Sequence, residues 1–363
     1  MPSGLVRAAT VSRGVEGTSL TDTSPSVDSS AGAIDVCGVG SALVDILVEV
    51  TPAEIEACGL IKGSMQLMDL EASERVHARV PGGIERSGGS LANAIAGLAS
   101  LGARVGFIGR VADDHFGSVF VADMAGLGVT FGRPRAHADA DRPTGRCLVL
   151  VTPDADRTMC TTLGVAAHLE PSDIDDELVA RSQVTFLEGY LWDEPVAKAA
   201  IRAAIAAAHG AGRKVAMTLS DPFCVERHRA EWRQLVADDI DIVLGNEAEL
   251  CSLFEVDDLP EACRRVSRPG LVVTVTRGPD GAWALDGGGP IVEVAAAPVE
   301  RVVDTTGAGD LYAAGFLFGL VRGCELATCA RLGAVAAGEV ISHVGARPVV
   351  DLAALVAGAG TDA

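Results

Sequence analysis

From residue 171 onward the chain alternates short apolar runs with longer segments in which apolar positions recur every three or four residues. This pattern predicts helices over 172–181, 195–209, 226–237 and 246–254, with strands over 183–188, 213–219 and 240–244 between them. A strand over 271–276, hairpin strands near 282–285 and 291–294, and helices over 307–321 and 325–343 follow. Strands alternating with helices over so long a stretch imply βαβ units and a mostly parallel sheet with helices on both faces.

The first half breaks this rhythm. Ile34–Gly40 reads as a buried strand ending at glycines, yet the segments 43–50, 65–69, 147–151 and 157–162 are β-rich and do not fit that rhythm. They are expected to pair with one another as a small lid, drawn from about 43–69 and 146–162. Gly38-Val39-Gly40 does not open a dinucleotide site, because Leu43 stands where a third glycine is needed and a strand, not a helix, follows. Ser87-Gly88-Gly89-Ser90-Leu91-Ala92-Asn93 leads into an Ala/Leu helix to about Leu101. A strand over 104–109, a polar turn at 112–114, a helix to about Leu127 and a turn-rich stretch over 133–145 come next. The fold class is therefore α/β in three layers, a mostly parallel central sheet flanked by helices, with a small β-sheet lid. Residues 1–33 are Ser/Thr/Gly-rich and read as a disordered leader, residues 34–348 as the folded domain and residues 349–363 as a tail.

Charge narrows the partners. Lys plus Arg number 29 and Asp plus Glu 49, a net charge of −20. That balance argues against nucleic acid or an anionic membrane surface. The nine cysteines are scattered, with no C-x-x-C pair, which excludes a disulfide framework and suggests a reducing cytoplasm.

Four stretches carry candidate chemistry. Gly307-Ala308-Gly309-Asp310 opens an apolar helix, so bare N–H groups and the helix dipole form an anion hole beside a carboxylate fit to act as a general base. Gly88-Gly89 lets backbone approach a ligand, with Asn93 one turn into the next helix. Asp45, alone in an apolar strand, needs donors such as sugar hydroxyls. Asn246-Glu247-Ala248-Glu249 offers oxygen ligands suited to Mg²⁺, and Thr276-Arg277-Gly278-Pro279-Asp280-Gly281 a turn suited to phosphates. Each alone also fits a structural role: a helix cap, a tight turn, a solvent-facing strand position or a hairpin. No G-x-x-x-x-G-K-[ST] P-loop is present, so ATP chemistry needs another architecture.

Taken in order, these stretches resemble the ribokinase, or PfkB, family of carbohydrate and nucleoside kinases. The likeness spans about residues 34–348. It rests on Gly88-Gly89…Asn93 with the following Gly97…Leu101-Gly102 and Gly106…Gly109…Asp113-Asp114…Gly117, and on Asp304-Thr305-Thr306-Gly307-Ala308-Gly309-Asp310. The resemblance implies a ribokinase-like fold and ATP as phosphoryl donor. It implies that Asp310 is the general base and that Gly307, Ala308 and Gly309 form the anion hole. Asn246 and Glu249 match the motif that positions Mg²⁺, often through water; Asp45, Gly88, Gly89 and Asn93 match acceptor-binding positions. Thr276, Gly278 and Gly281, with Asn246 and His343, fall on the ATP side, and Asp304 and Thr306 resemble a monovalent-cation (K⁺) site.

Ala42-Leu43-Val44-Asp45-Ile46, Pro143-Thr144-Gly145-Arg146-Cys147 and Asp156-Arg157-Thr158 are most similar to the adenosine kinase branch, in which Arg157 matches a lid arginine that closes over phosphates. Where that branch has Asn, this chain has Ser41. The expected function is transfer of phosphate from ATP to the primary hydroxyl of adenosine. A sugar kinase acting on ribose or fructose is the alternative, and a non-catalytic sensor on the same fold the second. A cytoplasmic monomer or homodimer is expected, with no nucleic-acid or membrane partner.

Overall fold

The strand Ile34–Val39 lies inside a nine-stranded sheet and is the point from which the chain winds in both directions. Val105–Ile108 and Thr130–Phe131 lie on one side of it. Ser182–Glu188, Lys214–Thr218, Ile242–Asn246 and Val272–Thr276 lie on the other, all parallel. Ala282–Asp286 and Val292–Val294 finish that edge antiparallel. The description rests on a computed structural model covering residues 32–132, 136–137, 142–154 and 156–359. The leader expected over residues 1–33 and the turns expected over 133–145 lie largely outside the described residues. All elements named here belong to one unit, Ala33–Ala363.

Because the direction of winding reverses at Ile34–Val39, the crevice beyond the carboxyl ends of the parallel strands opens there, where such sheets take ligands. Two apolar clusters sandwich the sheet. One holds the helices Ser90–Ser100, Ala308–Val321 and Leu326–Val340; the other holds Pro195–Gly210, Pro222–Asp238 and Leu259–Val266. The small residues of Ala308–Val321 have a packing reason. A Cβ on Gly315 would lie 2.4 Å from the Leu332 carbonyl, and one on Gly97 2.6 Å from Leu311. The helix is therefore wedged between two neighbours at close approach, which fixes its N-terminus in the crevice.

The small sheet expected from the irregular first half is present as a second, five-stranded sheet in the order Met65–Leu67, Arg157–Thr162, Gly145–Val151, Leu43–Glu49, Ile84–Gly88, the last strand lying outside the segments expected to form it. Its strands alternate. Val44, Ile46 and Val48 are buried in a cluster with Ile55, Val76 and Val80, from the helices Pro52–Ala57 and Leu70–Arg79 and the residue that ends the second. Asp45 and Leu47 point the other way, over the crevice. The register sets Asp45 opposite Arg86 on one side and Cys147 on the other.

Several boundaries differ from the sequence pattern. The segment 172–181 divides into a tight turn, Pro171–Asp173, and a helix, Asp176–Arg181. The helix expected from 226 starts at Pro222, because Asp221 caps it by accepting from Cys224 N at 2.7 Å. Residues beyond 348 contain a helix, Leu352–Ala359, whose Leu352 is fully buried.

Candidate active site

Three cavities meet at the N-terminus of Ala308–Val321. Gly307 precedes this helix with φ +80°, and a Cβ there would press on Ala346 at 2.8 Å, so only glycine fits without strain. Ala308 N donates to Thr305 O at 3.2 Å. The N–H groups of Gly309 and Asp310, in the first turn, have no carbonyl one turn back to bond. Asp310 projects from the same turn. Its carboxylate accepts from Ser90 Oγ at 2.6 Å and from Asn93 Nδ2 at 3.0 Å. Burial raises its pKa, while the bonds from Ser90 and Asn93 and the nearby Arg347 charge oppose the rise. A half-buried carboxylate held by two donors and set beside free helix N–H groups can take a proton from a hydroxyl as an anion arrives.

On one side of Asp310 lies a cavity of about 720 Å³. Thr276, Gly278 and Gly281 line it, with Ala308 and Gly309, and its far wall is small and apolar: Ala296, Ala297, Ala334, Ala337 and Ile341. His343, expected on this side, is not part of that lining; its Nε2 lies 3.2 Å from Glu339 Oε1.

Directly below Asp310, Asn246 and Glu249 share a smaller cavity with Asp310, Ser90, Thr218 and Ser220, and no cationic side chain lines it. Here the sequence left two roles open, and the geometry shows the cap. Asn246 Oδ1 accepts from Glu249 N at 2.9 Å, while Glu249 accepts from Asn246 N at 2.9 Å and Asn246 Nδ2 at 2.7 Å. Burial, with the charge of Asp221 adding to it, pushes the Glu249 carboxyl up to about 7. Two acidic groups facing a cavity without a cation fit a hydrated Mg²⁺. Among the described residues no cluster of three His, Cys, Asp or Glu side chains is placed to hold an ion unaided, so phosphate oxygens would complete its shell.

The third cavity, under the lid, has a volume of about 40 Å³. It holds room for a few waters, not for a sugar or a nucleoside. Alternate residues of adjacent lid strands form its roof: Asp45 and Leu47, Cys147 and Val149, Arg157 and Met159. Asn93, Thr306 and Arg347 close it from below. Burial pushes the Asp45 carboxyl up to about 6, against the pull of Arg347, Arg157 and Arg86. The two glycines before Asn93 serve this residue and its neighbour. A Cβ on Gly88 would fall 2.3 Å from the Asp45 carboxylate, and Gly89, at φ +96°, sits where a Cβ would meet Ser41 O at 2.6 Å.

Arg157 Nη2 lies 2.8 Å from Asp304 Oδ2, both side chains being less than a tenth exposed, so an ion pair ties the lid to the loop before the site helix. Asp304 also accepts from Thr306 N at 3.0 Å and Gly345 N at 2.9 Å. With its charge matched by Arg157 and both oxygens engaged, this group does not fit a resident monovalent cation, and no step is assigned to one.

Ser41 lies outside all three cavities. Its N–H donates to Glu188 Oε1 at 2.7 Å, and Glu188 Oε2 accepts from Leu91 N at 3.4 Å. Glu188, at the carboxyl end of Ser182–Glu188, thus joins the end of Ile34–Val39 to the start of Ser90–Ser100. Sequence reasoning passed over it, and over Ser90, Arg86 and Arg347. The position of Glu188 at a parallel strand's end was the available signal; Arg347, in an irregular stretch, gave none.

Comparison with known proteins agrees with this geometry. The model of the pfkB family carbohydrate kinases matches residues 53–352. A structure described as a probable sugar kinase from Rhizobium etli is 40% identical, covers 91% of this chain and 99% of its own, and superposes with a TM-score of 0.82. That of adenosine kinase from Sinorhizobium meliloti is 44% identical, with coverages of 90% and 99% and a TM-score of 0.81. A 5-dehydro-2-deoxygluconokinase of Geobacillus kaustophilus is 30% identical over 268 residues, 70% of this chain and 78% of the relative. The chain belongs to the pfkB family of carbohydrate kinases and is a phosphotransferase with an alcohol group as acceptor.

Proposed function

We propose that this enzyme transfers the γ-phosphoryl group of ATP to the primary hydroxyl of adenosine. The observation that carries the reaction is the placement of Asp310: a half-buried carboxylate that faces a cavity with Asn246 and Glu249, follows Gly309 of the large apolar cavity, and is held by Ser90 and by Asn93 of the charged one. The apolar cavity takes the nucleotide base, with Thr276, Gly278 and Gly281 toward its phosphates. Asp45 and Asn93 orient the acceptor from the charged side, backed by the close turn at Gly88 and Gly89, while Ser41 acts through Glu188. Asp310 removes the hydroxyl proton, and the resulting oxygen attacks in line. The N–H groups of Gly309 and Asp310, on the turn made by Gly307 and Ala308, receive the charge that develops on the phosphoryl oxygens. Mg²⁺, placed by Asn246 and Glu249 through water, would supply further charge neutralisation when bound.

Arg157 reaches the same point from the lid. Its bond to Asp304 holds the acceptor cavity shut, so the acceptor enters with the lid raised, and closure then excludes water that would otherwise take the phosphate. The adenosine reading is supported by the 44% identity to the adenosine kinase structure. A sugar as acceptor is the second reading, favoured by the arginine-rich lining of the lid cavity and by the sugar kinase relatives. Action in the cytoplasm, on small molecules alone, fits the acidic chain; among the described residues no helix is long and apolar enough to cross a membrane.

A panel of adenosine, other nucleosides, ribose and fructose, each with ATP and Mg²⁺ and read by coupled ADP release, tests the reading. Adenosine should give the highest kcat/KM. A free sugar far ahead of every nucleoside would replace adenosine as the acceptor.

A further inference from the structure

Arg347 lies in the irregular stretch after Leu326–Val340 and lines the acceptor cavity with Asp45, Asn93 and Arg86. Its Nη2 donates to Ser87 O and Ser87 Oγ, both at 2.8 Å, which fixes the guanidinium against the lid strand Ile84–Gly88. Its Nε and Nη1 are shielded from solvent and have no hydrogen-bond partner among the described residues. Asn93 Oδ1, in the same cavity, is likewise buried without one. Native proteins seldom leave such groups unmatched, and a guanidinium loses more than a neutral donor when they are.

The unmatched groups are complementary in kind. Asp45 and Asn93 Oδ1 offer acceptors, whereas a guanidinium can only donate. A hydroxyl both donates and accepts. Two neighbouring hydroxyls could therefore donate to Asp45 and to Asn93 Oδ1 while receiving bonds from Arg347, so that the unmatched atoms of Arg347 and Asn93 find partners at once.

We propose that Arg347 is a specificity residue for the acceptor, donating from Nη1 and Nε to the hydroxyl oxygens of a vicinal diol whose protons go to Asp45 and Asn93. This rests on the kinase reading above and adds a recognition residue to it. Lysine cannot replace it, because the tether to Ser87 and the contact with the acceptor use different arms of one planar fork.

Steady-state kinetics on the fastest acceptor of the panel and its deoxy analogues (2′- and 3′-deoxyadenosine if that acceptor is adenosine) test the assignment, with melting temperatures as a check on folding. Arg347→Gln should raise the acceptor KM by about 10- to 100-fold, the usual worth of a hydrogen bond to a charged group, and leave the ATP KM within about twofold. The penalty for at least one deoxy analogue should shrink by about tenfold in this variant, because the missing hydroxyl no longer has a donor to lose. Ser87→Ala, which removes only part of the tether, should keep the acceptor KM within about threefold.

An unchanged acceptor KM in Arg347→Gln, an analogue penalty retained in full, or a Ser87→Ala variant that reproduces the loss would overturn the assignment and leave Arg347 a structural tether. If Arg347→Gln does not fold, Arg347→Lys decides by the same loss or its absence. A wild-type chain that releases ADP with no acceptor of the panel would sink the kinase reading and this assignment together. Full wild-type turnover beside an indifferent Arg347→Gln sinks the assignment alone.

Discussion

The two ends of the cleft are built on opposite principles. The proposed nucleotide end is a cavity of about 720 Å³ walled by alanine, glycine and other small apolar residues. The proposed acceptor end is a cavity of about 40 Å³ lined by Asp45, Arg86, Arg157 and Arg347, roofed by a separate sheet and tied down by the Arg157–Asp304 ion pair. The first can bind by shape and backbone contacts with little reorganisation. On that reading the second has to open, and the unmatched atoms of Arg347 and Asn93 find partners only when an acceptor lies beneath the lid. Selectivity and commitment to reaction therefore belong to the acceptor end, and the nucleotide end should tolerate change.

That contrast can be broken at four points. The largest effect is expected where the two ends meet. Asp310→Asn keeps the shape of the side chain but cannot take a proton, so kcat should fall about 10²- to 10⁴-fold with both KM values little changed. A variant with near-normal kcat would remove the base from Asp310. Next is Asp45→Ala, which should raise the acceptor KM about 10- to 100-fold and leave the ATP KM alone; equal changes in both would erase the contrast. Third is pH. Burial raises the Asp45 carboxyl from its ordinary 3.8 to about 6, so as pH falls through 6 the group gains a proton and loses half its capacity to accept from hydroxyls. The acceptor kcat/KM should drop along an acid limb near that pH; burial raises the Asp310 carboxyl in the same direction. A profile flat down to pH 5 would mean neither carboxylate titrates there. Smallest is Ala334→Val, at the apolar wall: the ATP KM should rise no more than a few-fold, measurable by the same assay, and a loss as large as that of Asp45→Ala would show that the nucleotide end is the discriminating one.

The same contrast explains how much of the site the sequence made legible. The nucleotide end and the catalytic turn come from contiguous stretches. Gly307–Asp310 is one helix start, and Gly278 and Gly281 are one turn, so their chemistry shows in a short window. Gly88-Gly89…Asn93 showed as a motif, but its reason appears only in space: Gly88 makes room for the carboxylate of Asp45, about forty residues earlier, and Gly89 for the Ser41 carbonyl. Asn246 and Glu249 supported both a metal and a cap in sequence, and their reciprocal hydrogen bonds show the cap.

What stayed hidden is the acceptor end's second half. Arg86 is placed by strand register, Arg347 by an irregular loop, and Glu188 by the meeting of two strand ends, and none of these leaves a periodic trace. The helices Pro52–Ala57 and Leu70–Arg79 were missed for a related reason. They are short and polar, with one buried apolar residue each, Ile55 and Val76, so amphipathic periodicity is too weak to announce them. The main sheet was plain by comparison, because its strands are buried on both faces and read as unbroken apolar runs.

The central claim is that Asp310 and the helix start beside it direct the γ-phosphate of ATP onto the primary hydroxyl of the acceptor. Phosphorus NMR of the products of wild-type turnover with ATP and adenosine tests it most directly. The account predicts one equivalent of ADP for each equivalent of a 5′-monophosphate ester, and none of either without an acceptor. ADP accompanied by free phosphate, or an ester at the 2′ or 3′ position, would contradict it.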